Sequence, residues 1–324
     1  MSSTAMGQEA GTGALRNKAI RIHRFGGPEV LQIDDVPVPE PQDDEVVVRV
    51  HAASINPVDY KTREGSYPAV KEDQLPVTLG RDLSGTVELL GTRAHTLKKG
   101  DPIFAMLGHD RGAYARYVLV KAVEMVAKPQ DLNHVQAAAV PLAGITAWQG
   151  LFDHGGLRAG QRVLIHGGAG GVGHFAVQFA KARGATVLTT VAGEDLGFAR
   201  ELGADTAIDF KTQRFEDLAH DVDVVLDLIG GETQERSWSV LKPGGIIVST
   251  LAKPDEAKAR QHDARGTNFM AHPNGEQLGE IVRLIEEGKV RPLIAGVFPF
   301  DVVQAAQRRL EQGSVRGKIV LDLR

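Results

Sequence analysis

Six residues, Gly168-Ala169-Gly170-Gly171-Val172-Gly173, have the composition and spacing of a turn that holds phosphate. Glycines in this pattern permit a tight turn, let backbone approach a pyrophosphate with no Cβ in the way, and bring the following helix close to the preceding strand. Free N–H groups and the helix dipole at such a helix start favour negative charge. A dinucleotide held there would carry hydride chemistry, with the protein orienting the reactants and excluding water. The bland alternative is a glycine-rich turn with no ligand. Other chemistries lack their residues: with no cysteine in the chain there is no disulfide, thiolate nucleophile or cysteine-ligated metal centre. The eleven histidines show neither His-x3-His nor His-Glu-x2-His spacing.

The elements around the turn are those a dinucleotide site requires. An apolar run at 162–166 reads as a buried strand leading into the glycines. Val172, Ala176, Phe179 and Ala180 then recur at helical spacing, and 185–190 reads as a second strand. Strand, helix and strand thus fall within about 30 residues. Further strands are expected at 206–210, 222–228, 245–250 and 266–270, with helices at 196–202, 232–241 and 255–261 between them. That pattern specifies an α/β fold with a doubly wound parallel sheet. Helices at 276–287 and 300–312 follow, and 317–323 reads as a terminal strand returning to the first half of the chain.

Strand ends at the carboxyl edge of such a sheet line the cofactor crevice, which nominates Leu228, Ile229, Leu251, Phe269 and Met270. Phe269 suits the core equally well. A carboxylate closing the second strand would bind ribose hydroxyls and repel a 2′-phosphate, and the position expected to carry it is near Ala192, just after Thr190. This favours NADPH, while Glu194 and Asp195 shortly afterwards keep NADH open. Thr190, Lys211 and Arg214 are the groups expected near the phosphate, and each is otherwise an ordinary surface residue. His166 and His174 flank the turn and read as packing residues.

The chain before this region has another character. From 19 to 128 it shows short strands broken by Gly and Pro, at 45–54, 83–90, 102–107 and 113–120. A short helix starts at Asn56-Pro57, with Asn as N-cap and Pro at the first helical position. Two helical stretches are expected in 135–152, the second entered at Pro141. A length of 324 residues suits two domains, and a net charge of −4 argues against nucleic-acid binding driven by bulk charge. Residues 1–18 are small and polar, which reads as a mobile tail rather than a targeting segment. No later stretch supplies the roughly 18 apolar residues of a membrane span. The expectation is a soluble, cytoplasmic protein.

Asn56-Pro57-Val58-Asp59, Leu79 to Gly85, Pro141 to Trp148, Gly168 to Gly173 and Val315-Arg316-Gly317-Lys318-Ile319-Val320, in this order, carry a resemblance. The chain resembles the zinc-independent medium-chain dehydrogenase/reductases, and among them the quinone oxidoreductases that include zeta-crystallin. The likeness runs from about Ala19 to Leu323. It implies a GroES-like β-rich catalytic domain from 19–132 and 291–324, with a Rossmann domain at 133–290 inserted between. Zinc-dependent relatives place a Cys and a His ligand where this chain has Asn56 and Arg81, so the resemblance implies no zinc and no other metal site.

It further implies hydride delivery to a small-molecule acceptor that spreads its own negative charge, a quinone or an α,β-unsaturated carbonyl. Asn56 is placed beside the nicotinamide and Thr146 near it. Lys61 and Tyr67 are candidate donors to the oxyanion, and the choice between them stays open because many quinone reductases have tyrosine where Lys61 stands. Either is otherwise a surface residue. Gly193 replaces the serine-rich or basic phosphate anchor of many relatives. Family members commonly dimerise through the edge of the Rossmann sheet, here at 267–270, so a homodimer is expected. Neither nucleic acid nor membrane is expected as a partner. Two alternatives remain at this stage: reduction of another activated alkene or an enoyl thioester, and a non-catalytic NADPH-binding protein with a structural or RNA-binding role.

Overall fold

The computed structural model describes residues 15–324. Most of the expected tail, residues 1–14, lies outside the described residues. The end of that expected tail is corrected, because Asn17 and Lys18 open the first strand, β1 (Asn17–Ile22). Asn17 is buried there, its amide donating to the Tyr117 carbonyl at 2.9 Å and accepting from the Tyr117 N–H at 3.0 Å.

In order there follow β2 (Leu31–Val36), β3 (Glu45–Ile55), α1 (Pro57–Glu64), β4 (Val77–Thr78), β5 (Asp82–Leu90), β6 (Pro102–Met106), β7 (Tyr117–Lys121) and β8 (Met125–Ala127). Next come α2 (His134–Ala138), α3 (Pro141–Trp148) and a π-helical turn, Gln149–His154. The alternating region holds β9 (Arg162–His166), α4 (Gly173–Ala182), β10 (Thr186–Val191), α5 (Leu196–Glu201), β11 (Thr206–Asp209), β12 (Val222–Asp227), α6 (Gly231–Arg236), β13 (Leu241–Ser249), α7 (Glu256–Gln261) and β14 (Arg265–Asn268). The chain ends with α8 (Gly275–Glu286), β15 (Ile294–Pro299), α9 (Val303–Glu311) and β16 (Lys318–Asp322).

Two large sheets organise these elements. One is six-stranded and parallel, in the order β11-β10-β9-β12-β13-β14. Strand order reverses on either side of β9, which opens a crevice at the carboxyl ends where ligands bind in doubly wound sheets. β9, β10 and β12 are buried on both faces, as the parallel arrangement demands, with apolar centres at 163–165, 187–188 and 224–226. The other is seven-stranded, in the order β15-β16-β3-β5-β6-β8, with β7 also paired to β3. Its strands come from both chain ends, since β16 runs antiparallel to β3 and parallel to β15. A small sheet, β2-β1-β4, shares its hydrophobic core, with Ile20, Ile22 and Leu31 packed in one cluster with Val46, Val48 and Leu83.

Several elements depart from expectation. Of the strand expected at 113–120, only Tyr117 onward forms a ladder, and Ala115 makes a lone bridge to Ala19. The strand expected at 266–270 stops at Asn268, which leaves Phe269 and Met270 past its end. The helix expected at 232–241 stops at Arg236, continues as a 3-10 turn, and gives way to β13 at Leu241.

Candidate active site

The glycine turn lies between β9 and α4, and its glycines answer to different demands. A Cβ on Gly168 would stand 2.1 Å from Thr189 Oγ1, and one on Gly173 would stand 2.1 Å from the Gly167 carbonyl oxygen. Both are therefore packing requirements. Gly167 has φ +80°, in the left-handed region. At Gly170 the nearest atom to an added Cβ is the Gly167 oxygen at 3.3 Å, so its outer side is open to a ligand. No side chain caps α4, and although His174 and Phe175 N–H already donate to the Gly170 and Val172 carbonyls at 3.0 and 3.1 Å, the N–H groups of Gly171, Val172 and Gly173 have no acceptor among the described residues and are left for an anion. A cradle that only glycine permits, at an uncapped helix start, fits a dinucleotide pyrophosphate.

The turn is held from two sides. Gly167 and Gly168 N–H both donate to the Thr190 carbonyl at 3.1 Å. Thr190, expected near the phosphate, is buried, and its hydroxyl lies 3.1 Å from His166 Nδ1. On the other side Gly317 N–H donates to the Ala169 carbonyl at 2.9 Å, and His174 Nδ1 donates to the Gly170 carbonyl at 2.9 Å. Burial pushes the imidazoles of His166 and His174 down to about 4, so both pack as neutral rings at pH 7.

Ile229 and Leu251 stay exposed in the crevice beyond β12 and β13, and Ile229 Cδ1 lies 3.2 Å from where a Gly167 Cβ would stand. Leu228 turns toward the core instead. Thr146, on α3, is buried, and its hydroxyl donates to the Leu142 carbonyl at 2.7 Å. Phe269 stacks on His154 with ring centres 4.5 Å apart and packs on the core, whereas Met270 is exposed.

After β10 a 3-10 turn, Gly193–Asp195, presents two carboxylates. Lys211 Nζ lies 3.5 Å from Glu194 Oε1, and Arg316 Nε donates to Asp195 Oδ1 at 2.7 Å. Arg316 also stacks on Phe198, its guanidinium carbon 4.9 Å from the ring centre. Arg214 is not gathered here: its guanidinium pairs with Glu216 at 3.6 Å. Arg316 is the cation that sequence reading passes over, although it stands inside the quoted run from Val315 to Val320.

On the other side of the crevice Asn56 caps α1 and is buried with a set of charged groups. Its Oδ1 accepts from Lys318 Nζ, and its Nδ2 donates to Asp82 Oδ1 at 3.2 Å. Ser54 Oγ donates to the same Asp82 oxygen at 2.7 Å, and Leu142 N–H donates to Oδ2 at 3.2 Å. The Asn56 N–H and the Tyr114 hydroxyl donate to Asp59 Oδ2 at 2.7 and 2.8 Å. Burial raises both carboxyls, Asp59 to about 6, and lowers the Lys318 ammonium. Lys318 Cδ lies 3.2 Å from where a Gly171 Cβ would stand, so one lysine touches both the glycine turn and Asn56.

Tyr67 follows α1 in a loop set by Lys61, whose carbonyl accepts from Ser66 and Tyr67 N–H at 3.0 and 3.2 Å. The Tyr67 hydroxyl donates to Met270 Sδ at 2.7 Å across the crevice and lies 3.4 Å from His109 Nε2. Arg81 is buried beside them, with Nη1 against His109 Nδ1 and 3.1 Å from Nε2. Among the described residues the Lys61 ammonium has no hydrogen-bond or ion-pair partner, and no group of three His, Cys, Asp or Glu could hold a metal ion. No helix among them is long and apolar enough to cross a membrane.

Known proteins share both sequence and architecture with this chain. Residues 42–130 match the alcohol dehydrogenase GroES-like domain family, and 202–321 match the zinc-binding dehydrogenase family. The 2-methylene-furan-3-one reductase of Solanum lycopersicum is 36% identical over 94% of this chain and 78% of its own. The chloroplastic NADPH-dependent alkenal/one oxidoreductase of Arabidopsis thaliana is also 36% identical, over 92% and 77%. The structure of the quinone oxidoreductase from Coxiella burnetii superposes with TM-score 0.89 at 37% identity, covering 96% of this chain and all of that one. With a GroES-like β-rich half and a Rossmann sheet that carries a glycine turn, the chain belongs to the quinone oxidoreductase family of medium-chain dehydrogenase/reductases.

Proposed function

We propose that the protein is an NADPH-dependent, zinc-independent oxidoreductase that delivers hydride to a quinone or an α,β-unsaturated carbonyl. The observation that carries this reading is the bridge made by Lys318 between the glycine turn and Asn56, which ties the pyrophosphate cradle to the residue assigned beside the nicotinamide. Gly168, Gly170, Gly171, Val172 and Gly173 hold the pyrophosphate, Lys211 and Arg316 face the 2′-phosphate, and Asn56 and Thr146 orient the nicotinamide. NADPH is favoured by these two cations and by the NADPH-dependent relative.

A bound reduced nicotinamide supplies the hydride. This chain supplies the rest. Ile229, Leu251 and Met270 line the crevice with apolar surface that keeps water from the reacting atoms. Charge that develops on the acceptor oxygen needs a hydrogen-bond donor, because an Arg81 guanidinium has no lone pair with which to ligate a metal there. Tyr67 is that donor, and an acceptor that delocalises its own charge suits a phenol better than a simple ketone does. The assigned units are a catalytic domain, 17–132 and 291–324, and a Rossmann domain, 133–290. A cytoplasmic homodimer paired through the β14 edge completes the reading, and light scattering that returned a monomer would remove the dimer.

The test is oxidation of NADPH and NADH against a quinone panel and an enone panel, with a metal chelator present. Turnover that resists the chelator is expected with NADPH. Absence of turnover on both panels would defeat the reading.

A further inference from the structure

Tyr67, His109 and Arg81 lie together where the two halves of the molecule meet, and one end of their hydrogen-bonded contacts has a fixed direction. An arginine side chain can only donate. Arg81 is fixed by Nε and Nη2, which donate to the Leu107 carbonyl at 3.1 and 2.8 Å, and this leaves Nη1 facing His109. Nη1 lies against Nδ1 and 3.1 Å from Nε2, and the nearer nitrogen, Nδ1, is assigned as the acceptor. Desolvation and the Arg81 charge push His109 down to about 4, so the ring is neutral at pH 7 and its single proton sits on Nε2. Nε2 lies 3.4 Å from the Tyr67 oxygen, a separation typical of catalytic hydrogen bonds before substrate tightens them. The Tyr67 hydroxyl hydrogen, not needed toward His109, points across the crevice at Met270 Sδ. A thioether is a weak acceptor, easily displaced by an oxyanion.

We propose that Arg81 and His109 are positioning residues for Tyr67, forming a one-way chain of donors, Arg81 to His109 to Tyr67, that aims the Tyr67 hydroxyl at the oxygen of the acceptor. The inference rests on the reductase reading above. In the step it serves, hydride arrives at the acceptor carbon and an electron pair of the conjugated system moves to the oxygen. The Tyr67 O–H bond then breaks and its proton goes to that oxygen. The phenolate left behind is stabilised by the His109 Nε2–H and regains a proton from water, which reaches it past the exposed His109. Each bond in the chain polarises the next, and the fixed positive charge at its far end makes Tyr67 a better donor.

The experiment compares Tyr67→Phe, His109→Leu, His109→Gln and the double variant Tyr67→Phe/His109→Leu, each first shown to bind NADPH. Tyr67→Phe is expected to lower kcat about 100-fold. His109→Leu should lower it about tenfold with KM for NADPH unchanged, a split that mere structural damage would not produce. Glutamine can accept from Arg81 with its oxygen and donate to Tyr67 with its nitrogen, so His109→Gln should recover most of that loss. The double variant should be no slower than Tyr67→Phe alone. Full activity in His109→Leu, or losses that multiply in the double variant, overturns the chain. Nitrogen-15 shifts of His109 at pH 7 decide it without turnover: protonation at Nε2 is expected, and protonation at Nδ1 overturns it. Failure of the wild-type protein on both acceptor panels would instead defeat the reductase reading.

Discussion

Lys318, 4% exposed, donates its ammonium to Asn56 Oδ1 and lies 3.3 Å from the Ile55 carbonyl, so the last strand of the chain sets the orientation of a residue 262 positions earlier. With Oδ1 committed to the lysine, Nδ2 must face Asp82. The ammonium is also the cation that faces Asp82 and Asp59 in this pocket. Replacing it with methionine strands two buried carboxyls and an amide oxygen. Lys318→Met is expected to lose on the order of 3 kcal/mol of unfolding free energy. Urea denaturation checks this, and an unchanged midpoint would show that the ammonium is not the partner these groups depend on.

The glycine turn admits a paired test. In Gly173→Ala the new Cβ would stand 2.1 Å from backbone, at the Gly167 carbonyl, which cannot swing aside as a side chain can. The turn must open, and NADPH binding measured by calorimetry should weaken tenfold or more, taking about 1.4 kcal/mol as the free energy of a tenfold change. Gly279, in the middle of α8, has nothing within 4 Å of an added Cβ. Gly279→Ala should raise stability by roughly 0.5–1 kcal/mol and leave NADPH affinity alone. Equal loss of affinity in both variants would refute the steric account.

The fold was legible wherever periodicity and punctuation agree. The run at 162–166, the glycines and the apolar spacing of Val172, Ala176 and Phe179 specify strand, turn and helix from local sequence, and the structure shows β9, the turn and α4 there. Local sequence did not disclose β15, a six-residue strand carrying Gly296 and Pro299 that exists because β16 offers it a ladder. The site was legible in the same uneven way. Asn56 and Tyr67 sit in or near recognisable motifs, but Thr190, expected near the phosphate, is buried with its hydroxyl spent on His166. Arg316 and Lys318 reach the site from the far end of the chain, and His109 owes its place to Arg81. Such roles arise from tertiary contacts between residues far apart in sequence, which no spacing rule encodes.

In the proposed function, cofactor choice turns on Arg316. Its guanidinium now pairs with Asp195 beside the carboxyl end of β10, where an adenosine ribose is read in this class of sheet. A 2′-phosphate would compete for it with a higher charge. Hydrogen bonds to charged groups contribute about 1.5–3 kcal/mol, so Arg316→Gln should raise KM for NADPH by tenfold or more. KM for NADH, which has no phosphate to lose, should stay within about twofold by the same arithmetic. Steady-state kinetics with both cofactors checks this, and an equal rise for both would place Arg316 away from the phosphate.

Asp59 gives the pocket a pH dependence whose sign follows from its shift. Burial above all, with a smaller push from Asp82, raises its carboxyl from 3.8 to about 6 against the lowering effects of the Tyr114 hydroxyl, the Asn56 N–H and Lys318. An acid whose pKa rises on folding holds its proton more tightly in the native state. The stability it contributes is therefore complete below 3.8 and is lost as pH climbs through about 6. Asparagine in its place cannot ionise, so the stability of the wild-type protein relative to Asp59→Asn should fall by about 2 kcal/mol between about pH 4.5 and 7.5. Taking the difference between the two proteins cancels the titrating groups that do not interact with Asp59, together with any constant cost of the new amide. Urea unfolding of both across that range measures it. A difference that stays flat would mean that Asp59 ionises as readily in the folded protein as in the unfolded chain, and one that grows with pH would mean that Lys318 outweighs burial.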